Sequence, residues 1–173
     1  IVMWIKVVVA CLPAAVIGLL FDDKVNELFY NFQTVAIMLI LFGIFFIVVE
    51  NYNKGKIPVA TDMDQLTLKM AIIIGLFKVI AAVFPGTSRS GATILGALLI
   101  GVSREVAAEF TFFLAIPVMF GASLLKLVKF GFVFTGFEKL ILSVGSIVAF
   151  IVSILAIKFL VGYIKKHDFK VFG

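Results

Sequence analysis

The chain has 173 residues, 63% of them hydrophobic and only 14% charged, and its mean hydropathy is +1.23. Soluble domains hold about 45–50% apolar residues, so this composition excludes an ordinary soluble domain and predicts an all-α integral membrane protein with several spans. The net charge of +5 carries no nucleic-acid signal, because the basic residues gather at the ends of apolar runs, where they anchor helices at the interface.

In chain order, residues 1–20 predict a first span, with Lys6 near one end and Pro13 as a kink. The run opens in apolar sequence without Met or a charged leader, which suggests a fragment of a longer chain. Cys11 is the only cysteine, so an internal disulfide and a cysteine metal cluster are excluded. The stretch 21–31, with Asp22, Asp23, Lys24 and Glu27, predicts an acidic loop, and residues 32–49 a second span closed by Glu50. Residues 51–65 are polar, with Gly55 and Pro58 as breakers, and a helix start is expected near residues 61–64. Asp62 and Asp64 read there as a charged helix start rather than as a metal pair.

The next segments are odd in length. Residues 66–84 are long enough to cross alone, though Lys69 and Lys78 weaken that reading; residues 91–101 are half of what a span requires. Between them lies Phe84-Pro85-Gly86-Thr87-Ser88-Arg89-Ser90-Gly91-Ala92-Thr93-Ile94. Two pieces meeting at a Pro-Gly turn predict a re-entrant hairpin over residues 66–101, with its tip inside the membrane. Irregular backbone at that depth must be buried or line a wet cavity, so a cavity is expected at the motif. An Arg between apolar runs is a functional-site candidate by default. The hydroxyls of Thr87, Ser88 and Ser90, with the free N–H groups where the following helix starts, suit a phosphate. Gly91, Ala92, Gly96, Ala97 and Gly101 read as small residues that permit close helix packing.

Beyond the hairpin, Ser103 is a plausible N-cap with Glu105 in the first turn, opening a span over residues 106–128 that contains Pro117. Residues 140–164 predict the last span, closed by Lys165, Lys166 and His167. His167, the only histidine, reads as a solvated interfacial side chain. With the hairpin entering and leaving on one face, Lys6, Lys54, Lys56, Lys69, Arg104, Lys165, Lys166 and Lys170 share a side, against Lys24, Lys126, Lys129 and Lys139 opposite. That bias makes the first side cytoplasmic.

The stretch from Pro85 to Ile94 resembles the signature of the undecaprenyl-diphosphate phosphatase family, the bacitracin-resistance membrane phosphatases. Ala10-Cys11-Leu12-Pro13-Ala14, Gly75-Leu76-Phe77 and the run from Ser103 to Pro117 resemble it too. The resemblance implies an enzyme of the bacterial cytoplasmic membrane that hydrolyses undecaprenyl diphosphate to undecaprenyl phosphate and inorganic phosphate. That reaction recycles the lipid carrier for peptidoglycan and confers bacitracin resistance. It implies an inverted repeat whose two re-entrant hairpins meet near mid-membrane, and a site open to the outer face. It makes Arg89 and Ser88 the catalytic pair, with Gly86, Thr87, Ser90, Gly91 and Thr93 binding substrate. The implied partners are a polyprenyl diphosphate and membrane lipids, without nucleic acid; a homodimer is compatible with them.

The family's other motif, paired glutamates followed by a Ser-rich segment with a His, has no counterpart here. The chain therefore resembles the middle and second half of the enzyme, without the first re-entrant hairpin and the last helix. A divalent cation, Mg or Ca, is expected for the full-length enzyme and no metal for this fragment, which alone is expected to be inactive. Cys11 stands where Thr is usual in the family, Thr111 where Ser is usual, and Lys78 where Gln is usual. Lys78 is either a second cation near the phosphate or a snorkelling side chain. One alternative is a transporter or lipid-carrier translocase that uses the hairpin as an anion site. A phosphatase with a histidine nucleophile and a second histidine is disfavoured, because the chain has one His.

Overall fold

The computed structural model describes residues 2–131, 134–164 and 169. Six helices follow in order: α1 (Val2–Phe29), α2 (Phe32–Asn53), α3 (Leu68–Val83), α4 (Arg89–Leu99), α5 (Arg104–Phe130) and α6 (Gly136–Ile164). The chain is an all-α integral membrane protein. Among the described residues, α2, α5 and α6 are long and apolar enough to cross a membrane. α6 buries only Ile164 and, up to Phe159, leaves its large apolar side chains exposed, which is tolerable only in an apolar solvent.

Four helix starts are written in the sequence as polar caps. Asn31 accepts from Thr34 N–H at 2.8 Å, Thr67 from Met70 N–H at 3.2 Å, Ser88 from Gly91 N–H at 3.1 Å and Ser103 from Val106 N–H at 3.3 Å. Glu105 lies in the first turn of α5, as the sequence predicts.

Two expected boundaries are corrected. α1 continues to Phe29, so the expected loop 21–31 shrinks to a tight connection at Tyr30 and Asn31. Local polarity had suggested a loop, but a helix running out of the apolar layer can carry acidic residues. The expected helix start at residues 61–64 is a turn instead. There Gln65 Oε1 accepts from Thr61 N–H at 2.8 Å, and α3 begins only after Thr67. The basic cluster Lys165, Lys166 and His167 lies outside the described residues.

α3 and α4 form a helical hairpin. α3 has 16 residues and α4 has 11, or about 24 and 16 Å at 1.5 Å per residue. Neither reaches the ~30 Å of a hydrocarbon layer. α3 lies along α1, and α4 is wrapped by α2, α3 and α5, so every residue from Gly91 to Leu98 is buried. Ile74, Leu95, Leu98, Phe110 and Leu114 join Val7, Phe46 and Val49 in one core.

The hairpin's base is tied down by backbone. Gly101 takes φ +82° after α4, with Val102 N–H donating to Ala97 C=O at 3.0 Å and Gly101 N–H to Leu98 C=O at 3.1 Å. That pair of bonds is a Schellman ending, which needs a left-handed residue. Val59 N–H donates to Gly101 C=O at 2.7 Å and Ser103 N–H to Ala60 C=O at 2.8 Å, stapling the loop before α3 to the turn after α4.

Candidate functional site

The tip of the hairpin is the five-residue turn from Phe84 to Ser88, and glycine makes it possible. Gly86 has φ +88°, and a Cβ there would lie 2.7 Å from Val35 O and 2.8 Å from Val35 Cα. The tip therefore packs backbone-to-backbone on the first turn of α2. Phe84 adds an edge contact to Phe29, with ring centroids 4.9 Å apart. At the other end of α2, Glu50 meets Arg104 just past the hairpin's base. The fifteen residues from Val35 to Glu50 put the tip about 22 Å above the base.

At the tip, Ser88, Arg89 and Ser90 are exposed, and Thr87 is buried. Ser88 Oγ caps α4 and lies 3.3 Å from Ser90 Oγ. The N–H groups of Arg89 and Ser90 belong to the first turn, which an α-helix leaves without intrahelical partners. No described group pairs with the Arg89 guanidinium, which is thus free for an external anion. Thr87 Oγ1 is a buried side-chain oxygen without a hydrogen-bond partner among the described residues. A buried hydroxyl left unpaired costs free energy unless something else supplies its partner.

The motif does not stay together as one surface. Ser88, Arg89 and Ser90 stand open at the tip, while Gly86 and Gly91 are packed against Val35 and Phe46. Thr93 is turned inward at 1% exposure. Its hydroxyl lies 2.9 Å from Ser90 O, 3.2 Å from Arg89 O and 3.0 Å from Thr111 Oγ1. The resemblance places Thr93 among the substrate-binding residues; in this structure its hydroxyl binds the protein's own backbone. One cavity, about 520 Å³, opens at the hairpin's base beside Glu50, Asn53, Lys56 and Arg104; another, about 380 Å³, lies between α5 and α6. Neither includes the motif.

Lys78 follows neither expectation. It is 8% exposed, and its ammonium donates to Leu114 C=O at 3.2 Å and to Cys11 Sγ at 3.4 Å. Pro117 in α5 lacks the N–H that would reach Phe113 C=O, one residue before Leu114, and its ring crowds that turn. The ammonium thus reaches the α5 backbone beside the proline, at a carbonyl that Cys11 Sγ also approaches at 3.6 Å.

Sequence reading missed the Glu50–Arg104 pair. Arg104 Nε lies 3.0 Å from both Glu50 oxygens, a terminal guanidinium nitrogen adds a short bond, and Phe169 N–H donates to Glu50 Oε1 at 3.0 Å. A signal existed: with 66–101 read as one hairpin, the carboxylate closing the second span and Arg104 end on the same side.

Among the described residues, no three His, Cys, Asp or Glu side chains group to hold a metal. The tip offers hydroxyls and an arginine, whereas Mg²⁺ and Ca²⁺ sites are built on carboxylates. These residues do not fit a resident divalent cation.

The sequence model of the family described as bacitracin resistance protein BacA matches residues 1–173. An undecaprenyl-diphosphatase of Desulfitobacterium hafniense is 70% identical over 171 residues, covering 99% of this chain and 62% of the relative. Undecaprenyl-diphosphatase 1 of Clostridium acetobutylicum is 67% identical with the same coverage. An undecaprenyl-diphosphatase of Enterococcus faecalis is 62% identical over 175 residues, covering 99% of this chain and 63% of the relative. The chain thus spans about 62% of the length of the first of these curated relatives.

Proposed function

Because the chain belongs to the bacitracin resistance protein BacA family, we propose that the full-length protein hydrolyses undecaprenyl diphosphate in the bacterial cytoplasmic membrane. Water adds to the terminal phosphorus, the bridging P–O bond breaks, and inorganic phosphate leaves the lipid monophosphate behind. The observation that carries this reading is the exposed Ser88-Arg89-Ser90 turn at the start of α4, beside the buried Thr87 hydroxyl, which has no partner among the described residues. The names of the relatives support the same substrate.

In this reading Arg89 grips two oxygens of the terminal phosphate through its planar fork, which a Lys cannot do. It also neutralises charge that grows during phosphoryl transfer. Ser88 and Ser90 and the first N–H groups of α4 hold the remaining oxygens against the positive end of the helix. Gly86 and Gly91 let the turn pack closely enough to present them, and Thr87 donates its hydroxyl once an acceptor arrives. The isoprenoid tail stays among bilayer lipids and the exposed apolar faces, in a multi-pass arrangement supported by the three long helices. α3 and α4 enter and leave on one face as a re-entrant pair, which their lengths support. A divalent cation for the full-length enzyme remains part of the proposal on chemical grounds, since diphosphate hydrolysis gains from a metal's charge. Its carboxylates would come from outside the hairpin tip.

The test is phosphate release from undecaprenyl diphosphate by the full-length protein, with Arg89→Ala and Arg89→Lys beside it and a chelator arm. Activity in the parent, lost in Arg89→Ala and by chelation and lowered but still measurable in Arg89→Lys, supports the reading. A parent that releases no phosphate, or an Arg89→Ala variant as active as the parent, sinks it.

A further inference from the structure

Behind the exposed turn lies a buried hydroxyl pair that substrate cannot reach in this arrangement. Thr93 is 1% exposed and Thr111 is 7% exposed, and their oxygens are 3.0 Å apart across the α4–α5 contact. A hydroxyl has one proton to donate and two lone pairs to offer. Thr93 faces two carbonyls, Ser90 O at 2.9 Å and Arg89 O at 3.2 Å, so its proton goes there. The lone pairs of Thr93 then take the proton of Thr111. In such a chain each bond polarises the next, and the outer donor fixes the rotamer of the inner one.

We propose that Thr111 is a positioning residue for the phosphatase reaction, acting through Thr93 to fix the first turn of α4 and so the point from which Arg89 reaches the phosphate. The proposal rests on the functional reading above. The turn needs such an anchor. Its outer residues Ser88, Arg89 and Ser90 are exposed; beside the Ser88 cap and the Ala92 N–H bond to Ser88 C=O, its Arg89 and Ser90 carbonyls are reached from inside by this hydroxyl. α5 is a firm support, because it also receives the Lys78 ammonium on Leu114 C=O, one turn from Thr111. A guanidinium displaced by a fraction of an ångström still attracts a diphosphate by charge. It no longer matches the oxygens as they spread in the transition state. The loss therefore falls on kcat rather than on KM.

The experiment compares full-length parent, Thr111→Val and Thr111→Ser for phosphate release from undecaprenyl diphosphate, each in the Arg89 and the Arg89→Lys backgrounds. Thr111→Val keeps the shape and removes the hydroxyl; it should lower kcat about tenfold with KM within about twofold, while Thr111→Ser recovers most of the rate. In the Arg89→Lys background the same substitution should have much less effect, since the fork it aligns is gone. If Thr111→Val does not accumulate folded, Thr111→Cys carries the comparison, because a thiol of similar size donates only weakly. A Thr111→Val enzyme with parental kcat overturns the proposal, as does an equal loss in both backgrounds. A parent that releases no phosphate removes the functional reading, and this inference with it, and is told apart by the inactivity of the parent itself.

Discussion

Arg104→Met tests the base of the hairpin most sharply. Glu50 is 1% exposed, and its carboxylate is held by the Arg104 guanidinium and the Phe169 N–H. Removing the guanidinium leaves a buried charge with one neutral donor. Stranding one partner of a buried pair costs about 3–5 kcal/mol. The Arg104 side chain is 39% exposed, which screens the pair and sets the expectation at the lower end, about 3 kcal/mol. For a protein of this size that is a fall of about 6–12 °C in unfolding midpoint. The assay is thermal unfolding of the purified protein in one detergent, for Arg104→Met, Glu50→Leu and the double variant. Two apolar side chains of similar length bury well together, so the double variant should recover most of the loss. A single variant within about 2 °C of the parent, or a double variant showing the sum of both losses, would refute the reasoning.

Gly86→Ala should lower stability by about 2 kcal/mol or more, because a left-handed alanine costs about 1–2 kcal/mol before its Cβ meets the Val35 backbone; a thermal-shift series reads this, and an unchanged midpoint argues against the tight tip. Thr87→Val should raise stability without substrate by about 1 kcal/mol and weaken inorganic pyrophosphate binding about tenfold; calorimetric titration beside thermal unfolding checks both signs. Lys78→Leu should cost about 1–3 kcal/mol by removing the ammonium's bonds to Leu114 C=O and Cys11 Sγ. Its KM in the phosphate-release assay should stay within about twofold of the parent; a rise of about tenfold or more would put the ammonium in the anion's field.

The hairpin was legible because local rules write it. Pro85 and Gly86 end one helix, Ser88 caps the next, and two runs too short to span meet between them. The caps at Thr67 and Ser103 obey the same local chemistry, although the polarity around Asp62 and Asp64 drew the expected start of α3 too early. Illegible were contacts set by packing between distant segments. Glu50 and Arg104 are 54 residues apart, Lys78 and Leu114 are 36 apart, and no periodicity in a single sequence links such pairs. Thr93 shows the limit best. Its place in the motif suggested contact with substrate; four positions after Arg89 it shares that helix face but lies one turn deeper, where Thr111 of α5 meets it.

The glycines give the hairpin a mechanical character. A Cβ on Gly75 would come within 2.5 Å of Ala10 O on α1, and one on Gly96 within 2.6 Å of the Phe77 ring on the opposite limb. With Gly86 against Val35, the two limbs are keyed to α1, to α2 and to each other at separate heights. Meshed backbones of this kind do not slide, since a small axial shift drives atoms into overlap at every key. The hairpin is therefore a stiff post rather than a rocker. Under the proposed function, a lipid head group would have to travel to it within the plane of the membrane, without the hairpin swinging to meet it.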